Sequence, residues 1–304
     1  MKPKIVGIGA CVADTLWCLS TYPTEDTKLK ADESRQAGGG PVATGLVAAA
    51  KLGADTAFIG NLADDASGQF LRADFEKYGV KTDLIATLSG YRSFSSALLL
   101  AADSGTRTCV FDRGNLPPTV LSVAQKTAIA EAEILMVDGN DLDAAVEGAT
   151  VARAAGKRVL YDCGGNYPNV ARLLAVSDIL IPSEEFALAE TGCKTATDAA
   201  KALFNTYHPA VVVITQGKRG GILFDGTHTT AYPIYPARVV DSNGAGDVFH
   251  GAFAAALLRG YDYLTCCHFA SATSALKCTG IGARESVPDF ETVRTYLKEN
   301  GYEL

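Results

Sequence analysis

Residues 241–258 read DSNGAGDVFHGAFAAALL, which sets Asp247 directly after Gly244, Ala245 and Gly246 at the start of an apolar stretch. From Val248 on, Val248, Phe249, Ala252, Phe253, Ala256 and Leu257 recur at helical spacing, so a core-facing helix begins near Gly244 to Asp247. The first amides of a helix lack intrahelical partners and carry the positive end of its dipole. Glycines let a ligand come close to those amides, and such a start receives phosphate readily. A carboxylate beside it is placed to take a proton from an attacking hydroxyl. The same residues also read as plain N-capping by Asp247 over a glycine turn. Asp241 and Ser242 can cap that turn already, which frees Asp247, and a helix gains little from two glycines unless something must approach.

Neither common nucleotide motif accounts for these residues. GKR at 217–219 and at 156–158 lacks the Ser or Thr that must follow in a P-loop. GIGACV at 7–12 has Val12 where a dinucleotide fingerprint needs Gly or Ala, and it runs into Asp14, not directly into a helix. Hydride transfer loses ground here. A net charge of −7 leaves no basic footprint for nucleic acid or an anionic membrane. Eight cysteines without a C-x-x-C pair give no zinc spacing and suit reduced thiols in the cytoplasm. The apolar stretch 5–13 is short and ends at Asp14, which suits a buried first strand better than a signal peptide. No apolar run approaches the ~20 residues of a membrane span.

The elements that must position this helix start follow a simple rhythm. KIVGIGAC (4–11), DTAFIG (55–60), EILMVD (133–138), KRVLYDC (157–163), DILIP (178–182) and AVVVIT (210–215) read as buried strands. Helical patterns such as PVATGLVAAAKLG, ASGQFLRADFEKYG, DAAVEGATVARAAG and TDAAKALFNTY lie between them, and further helices fall near 245–259, 262–278 and 289–299. This predicts a doubly wound α/β fold, a mostly parallel sheet with helices on both faces, built as one unit over 1–304. Two stretches break the rhythm. Residues 12–37 are polar and irregular, and 92–112 reads as a hairpin turning at Asp103, Ser104 and Gly105. Together they predict a small β lid.

With these motifs in view, the chain resembles the ribokinase-type (PfkB) carbohydrate kinases. VVDSNGAGDVFHGAF matches that family's C-terminal signature D-T-x-G-A-G-D with Ser242 for Thr, and GGGPVATGLVAAAKLG (38–53) matches its N-terminal Gly-Gly signature. FIGNLADDASGQFLRADFEKYGV resembles the segment between, and the pieces in order cover nearly the whole chain. In wording the sulfofructose kinase and ketohexokinase branch is nearest. The resemblance implies ATP-dependent phosphorylation of a hydroxyl on a small sugar, of ketose or sugar-acid type. It implies Asp247 as general base and Gly244, Ala245 and Gly246 as the amides that hold the phosphoryl group. For the sugar it implies Asp14, Gly39 and Gly40, with Thr44 where many members carry Asn, and the strand-end Asp138 as a further candidate.

ITQGKRGG (214–221) resembles the family's T-x-G-x-x-G nucleotide loop through Thr215, Gly217 and Gly220. CTGIGARESVP (278–288) resembles the segment that supplies a monovalent-cation site. Side-chain oxygens of Asp241 and Ser286, with carbonyls of Asn243, Lys277, Gly280 and Gly282, would suit K⁺ there; the same residues also read as an ordinary glycine turn. Where the family often carries N-x-x-E near Mg²⁺, SEEFALAETG has Ser183 and Phe186, which leaves Glu184 or Glu185 to act, through water. Lys28 and Arg113 lie in the lid segments and are the first places to look for substrate specificity. Lys28 fits a sulfonate-binding lysine of the sulfofructose kinases, but Phe111 and Asn140 depart from that branch. His250, one turn from Asp247, reads as packed or solvated. A nucleoside kinase on the same scaffold and a non-catalytic sensor are the competing classes. Lid strands exposed at an edge predict a homodimer through the lids.

Overall fold

The computed structural model describes residues 2–104, 106–165 and 167–304. In chain order, β1 (Ile5–Ile8) leads through β2 (Val12–Leu19) and β3 (Glu33–Gly39) into α1 (Pro41–Lys51). Then come β4 (Thr56–Ala63), α2 (Ala66–Lys77), β5 (Val80–Lys81), β6 (Ile85–Leu88), β7 (Ser95–Ala101) and β8 (Thr106–Asp112). Helices and strands alternate through α3 (Val123–Glu131), β9 (Ile134–Val137), α4 (Leu142–Ala154), β10 (Arg158–Cys163), α5 (Ala171–Leu174) and β11 (Ile179–Pro182). After α6 (Glu184–Thr191), α7 (Ala196–Tyr207) and β12 (Val211–Thr215), two edge strands follow, β13 (Gly221–Phe224) and β14 (Thr229–Tyr232). Three helices end the chain: α8 (Ala245–Leu258), α9 (Tyr263–Lys277) and α10 (Phe290–Glu299).

The six apolar runs expected as strands form β1, β4, β9, β10, β11 and β12, the parallel centre of a sheet ordered β14-β13-β12-β11-β10-β9-β1-β4-β5, with β6 also on β4. Only β13 and β14 run antiparallel, at one edge. Because side chains alternate across a strand, β1 feeds two cores. Ile5 joins a layer with Leu46, Phe253 and Phe269, while Val6 and Ile8 join one with Ala145, Ala149 and Leu203. The α/β fold class expected from the alternation is the one observed. Among the described residues no helix is long and apolar enough to cross a membrane.

The two segments that broke the rhythm pair into a second sheet, ordered β3-β2-β7-β8. Residues 12–37 are thus less irregular than their polarity suggested. They hold β2 and most of β3, antiparallel to each other, with β2 parallel to β7. Leu16, Ala37 and Leu98 form the small apolar cluster of this sheet, enough to pin its register. Asp103 and Ser104 follow β7 in the hairpin turn as expected, while Gly105 lies outside the described residues.

Two helices carry the glycine motifs, α1 after Gly39-Gly40 and α8 after Gly244, and they cross in direct contact. A methyl group added at Gly251 of α8 would meet the carbonyl of Gly45 in α1, and one added at Gly45 would lie 3.2 Å from the Asp247 carbonyl of α8. The crossing therefore needs bare backbone at Gly251 and leaves little room at Gly45. Gly251→Ala should lower stability by about 1–3 kcal/mol, as overpacking does. The expected reading is a lower urea midpoint at unchanged slope; an unmoved midpoint would remove the crossing from this account.

Candidate active site

Most helices of the chain begin with a side-chain cap: Asp65, Ser122, Ser183, Thr195, Asp262 and Asp289 each accept from an amide in the first turn. The two glycine-motif helices do not. α1 starts at Gly40 (φ 95°) and α8 at Gly244 (φ 73°), both without a side-chain cap. Positive φ demands glycine at both positions. At Gly244 a methyl group would also come within 2.5 Å of Ala283 Cβ, whereas at Gly246 it would meet no protein atom within 4 Å. Packing does not explain Gly246; it keeps open a space the protein does not fill.

Asp241, expected as one possible cap, instead accepts from the amides of Asn243 and Gly282, both at 2.8 Å. Asp247 lies inside the first turn and caps nothing. The Ala245 amide turns back to the Ser242 carbonyl at 3.3 Å, so it is less available than the sequence suggested. The amides of Gly244, Gly246 and Asp247 have no acceptor among the described residues. The carbonyls of the same turn are held from the other side. Lys277 Nζ donates to the carbonyls of Asp241 (2.8 Å) and Asn243, Ser274 Oγ donates to that of Ala245 (2.9 Å), and His250 Nδ1 sits 2.6 Å from that of Gly246. Tied carbonyls and bare amides make an anion-receiving turn.

Beside it, Asp247 is half-buried and its carboxyl is pushed up to about 7. Burial is the main cause and the charge of Asp162 the next, while His250 opposes them. Asp162 is buried at the end of β10, its own carboxyl raised well above the usual range by burial and then by Asp138. It lies 3.1 Å from His250 Nδ1, and the other ring nitrogen of His250 faces the Ile181 carbonyl at 2.9 Å. His250, read from sequence as packed or solvated, is packed, and its ring is aimed at the turn.

One cavity adjoins this turn, and a second has none of the turn's residues in its walls. The first, of about 580 Å³, is lined by Thr215, Gly217 and Gly220 together with Ala245, Gly246, Tyr235, Val239 and Phe249. It unites the residues expected to hold the nucleotide, and its size suits a small-molecule site. The other, of about 420 Å³, is lined by Gly9, Asn61, Phe94, Arg113 and Asn140 among others. Arg113 lies over the rings of Phe94 (5.9 Å) and Tyr167 (5.8 Å).

The remaining expected residues divide. Asp14, on β2 opposite Ser96 of β7, accepts from the Ser96 hydroxyl at 2.5 Å, and burial raises its carboxyl. Gly39 packs directly on that carboxyl, since a methyl group there would strike it. Asp138 is turned to the backbone: it accepts from the amides of Ala10 (2.9 Å), Asn140 (2.9 Å) and Val42 (3.4 Å) and so clasps the ends of β1 and β9 to the start of α1. Thr44 is fully buried behind Arg284, whose Nε lies 3.4 Å from its hydroxyl, and it reaches neither cavity. Lys28 is exposed in the β2–β3 loop and also lines neither. Glu184 receives Gln216 Nε2 at 2.8 Å and pairs with Arg219, so its carboxylate does not fit a direct Mg²⁺ ligand.

Of the oxygens expected to hold K⁺, the Asn243 carbonyl already accepts from the Lys277 ammonium, and others have partners within the protein. Asp241 is taken by the two amides named above, Ser286 Oγ donates to the Gly282 carbonyl at 2.8 Å, and the Lys277 carbonyl accepts from Gly280 at 3.2 Å. Arg284, in the same loop, is a residue the sequence reading missed. It is buried and donates to Asp74 (2.6 Å) and the Gly39 carbonyl (2.7 Å), which bolts the loop after α9 to the glycine pair before α1. Asp162 was also missed, although RVLYDC ends in an acid as EILMVD does.

Comparison with known proteins agrees with this geometry. The model of the pfkB family carbohydrate kinases matches residues 2–289. A ribokinase of Arabidopsis thaliana is 29% identical over 97% of this chain and 81% of its own. A 5-dehydro-2-deoxygluconokinase of Shouchella clausii is 23% identical, covering 97% and 95%. Among solved structures, the Arabidopsis thaliana ribokinase complexed with ribose and ATP superposes with a TM-score of 0.88 at 28% identity, covering 98% of this chain and 99% of that one. A fructokinase with bound ATP from Xylella fastidiosa gives 0.82 at 25% identity, covering 99% of each. With a nucleotide-sized cavity, a bare helix start and an aspartate beside it, this chain belongs to the pfkB family of carbohydrate kinases and is an ATP-dependent sugar kinase.

Proposed function

We propose that Asp247 is the general base of this kinase and that the amides of Gly244, Gly246 and Asp247 receive the terminal phosphoryl group of ATP. The sugar oxygen forms a bond to the γ-phosphorus, the bond to the bridging oxygen breaks, ADP leaves, and the hydroxyl proton passes to Asp247. The observation that carries this reading is a helix start whose carbonyls are tied and whose amides are bare, next to a carboxyl held near neutrality. A base poised near pH 7 takes a proton yet can release it between turnovers. Mg²⁺, when bound with the nucleotide, neutralises phosphate charge; it keeps several waters and rides on the phosphates, so it makes little demand on protein carboxylates.

The nucleotide occupies the cavity lined by Thr215, Gly217 and Gly220 and the sugar the one lined by Arg113 and Asn140, with Asp14 and Gly39 meeting it from outside that cavity's walls when the second sheet closes. The second sheet acts as the lid over the sugar. The acceptor is a small ketose or sugar acid, with Arg113 meeting its anionic or heavily hydroxylated end. A sulfonated sugar has less support, since Lys28 is exposed outside both cavities and Phe111 is exposed on β8. A nucleoside has less again, because Phe94 and Tyr167 already hold Arg113 over their faces.

ADP release across ribose, fructose, sugar acids, sulfofructose and nucleosides should single out a ketose or sugar acid. With that acceptor Asp247→Asn should lower kcat by about 10²–10⁴-fold at unchanged fold; near-normal turnover would exclude Asp247 as the base. The pH dependence has a definite sign. A buried carboxyl with a raised value favours the fold below its unfolded value near 4 and loses that advantage as pH rises through about 7. Asp247→Asn should therefore melt higher than the parent above pH 7 and converge with it toward pH 4, while the parent's activity falls below about pH 7.

Gly246→Ala separates folding from chemistry. Alanine is favoured over glycine in a helix by about 1 kcal/mol and meets no protein atom here. Thermal stability should hold or rise while kcat/KM falls at least about tenfold, the effect of crowding a phosphoryl site. For assembly, we propose a homodimer through the lid sheets: β8 is exposed along its length, with Val110 and Phe111 at 64% and 58%, and its outer edge is unpaired among the described residues. Light scattering should give a dimer mass that Val110→Lys/Phe111→Glu reduces to a monomer; a monomeric parent at high concentration removes the idea.

A further inference from the structure

The loop between β14 and α8 and the loop after α9 meet around one buried cation, and that cation belongs to the protein. Lys277 is the last residue of α9 and is fully buried. Its Nζ reaches 36 residues back along the chain to the Asp241 carbonyl at 2.8 Å, and to the Asn243 carbonyl. The Asn243 carbonyl is one of the backbone oxygens that a K⁺ ion in this loop would need, and the Asp241 carbonyl lies beside it. The acidic residue of the loop, Asp241, does not pair with Nζ through its side chain; it accepts the amides of Asn243 and Gly282. Ser286 is turned onto Gly282 and so completes a closed set of contacts.

We infer that the ammonium of Lys277 stands in the place of a monovalent cation, so that this kinase holds its phosphoryl-receiving turn without K⁺. An ammonium carries three donors and no acceptor, which matches a pocket made of carbonyl oxygens. It is close to K⁺ in size and equal to it in charge. Being covalently attached, it is present at every ionic composition and loses less freedom on binding than a free ion. Its effect on the reaction is one of positioning. The carbonyls of Asp241 and Asn243 immediately precede Gly244, and drawing them inward turns the following amides outward. The positive charge behind the turn also adds to the field that the helix start presents to phosphate.

This rests on the reading of the α8 turn as the phosphoryl site, and the test keeps the two apart. Activity of the parent enzyme is measured with saturating ATP, Mg²⁺ and sugar while K⁺ replaces tetramethylammonium at constant ionic strength. It should change by less than about twofold, since the site is already filled. Lys277→Ala should lose about 10²-fold in kcat, as a displaced catalytic group does, and should regain activity saturably with K⁺ or NH₄⁺ but not with tetramethylammonium. The same ions should raise the melting temperature of Lys277→Ala and leave that of the parent unmoved, a readout independent of turnover. Lys277→Met, which keeps the apolar stem, serves the same comparison if the alanine variant does not fold. Strong activation of the parent by K⁺ overturns the inference, and so does a folded variant that no cation rescues. Neither result touches Asp247, whose own substitution decides the reading of the turn.

Discussion

A helix start left without a cap has to be held by something other than itself. Leaving glycine in place of a capping side chain at α8 costs about a few tenths of a kcal/mol, and the positive φ at Gly244 together with Ala283 packed against it favours glycine there. The molecule meets that constraint from behind. Lys277, Ser274 and His250 grip the carbonyls of Asp241, Asn243, Ala245 and Gly246 around the turn, and the Gly45–Gly251 crossing fixes the helix against α1. Every one of these contacts uses an acceptor and leaves the donors alone. The result is a row of amides whose direction is set by the core but whose hydrogen bonds remain to be made by a ligand.

The same logic sets the charges. Asp247, Asp162 and Asp138 are like charges in a poorly solvated region, and each has its carboxyl raised by burial first. Asp138 is partly repaid by three backbone amides, whereas Oδ2 of Asp162 accepts no hydrogen bond among the described residues. Burial first, and the like-charged Asp162 second, together hold the Asp247 carboxyl near neutrality. Arg284 stabilises the arrangement at longer range: its buried pairing with Asp74 and its bond to Gly39 fix the glycine pair before α1 to the loop that carries Lys277's neighbours. Breaking such a buried pair by removing one partner is expensive, about 3–5 kcal/mol, which makes the link rigid.

Much of this was legible in the residues and some was not, for identifiable reasons. Continuous apolar runs such as VVVI and ILMV have one plausible fate in an α/β chain, so β9 and β12 read clearly. The helical stripe after Asp247 read equally well. Strands β2 and β3 did not, because their burial alternates imperfectly and they cover a core of only a few residues. Asp138 and Thr44 read as ligand contacts because an acid at a strand end and a polar residue in a glycine helix look alike whether they face a cavity or the backbone. Lys277 was read for its carbonyl, and its side chain proved to be the participant. Local sequence cannot say which atoms of a residue meet a loop 36 positions away; only the packing of α9 against α8 decides that.

The two cavities differ in the way their tasks require. The nucleotide side is walled by apolar side chains and by glycine backbone, with Phe249 and Tyr235 near Gly217, Gly220 and Gly246. Backbone amides and apolar walls recognise phosphate and a flat base, which every ATP-using member needs in the same form. The second cavity is walled by side chains from loops, Arg113 and Asn140 among them, while Asp14 from β2 and Ser96 from β7 pair outside it on the second sheet. Side chains on loops and on a small second sheet can change without disturbing the core, which rests on β1 and the α1–α8 crossing. Side chains there are free to vary, whereas the α8 turn is main-chain geometry that substitution can hardly alter.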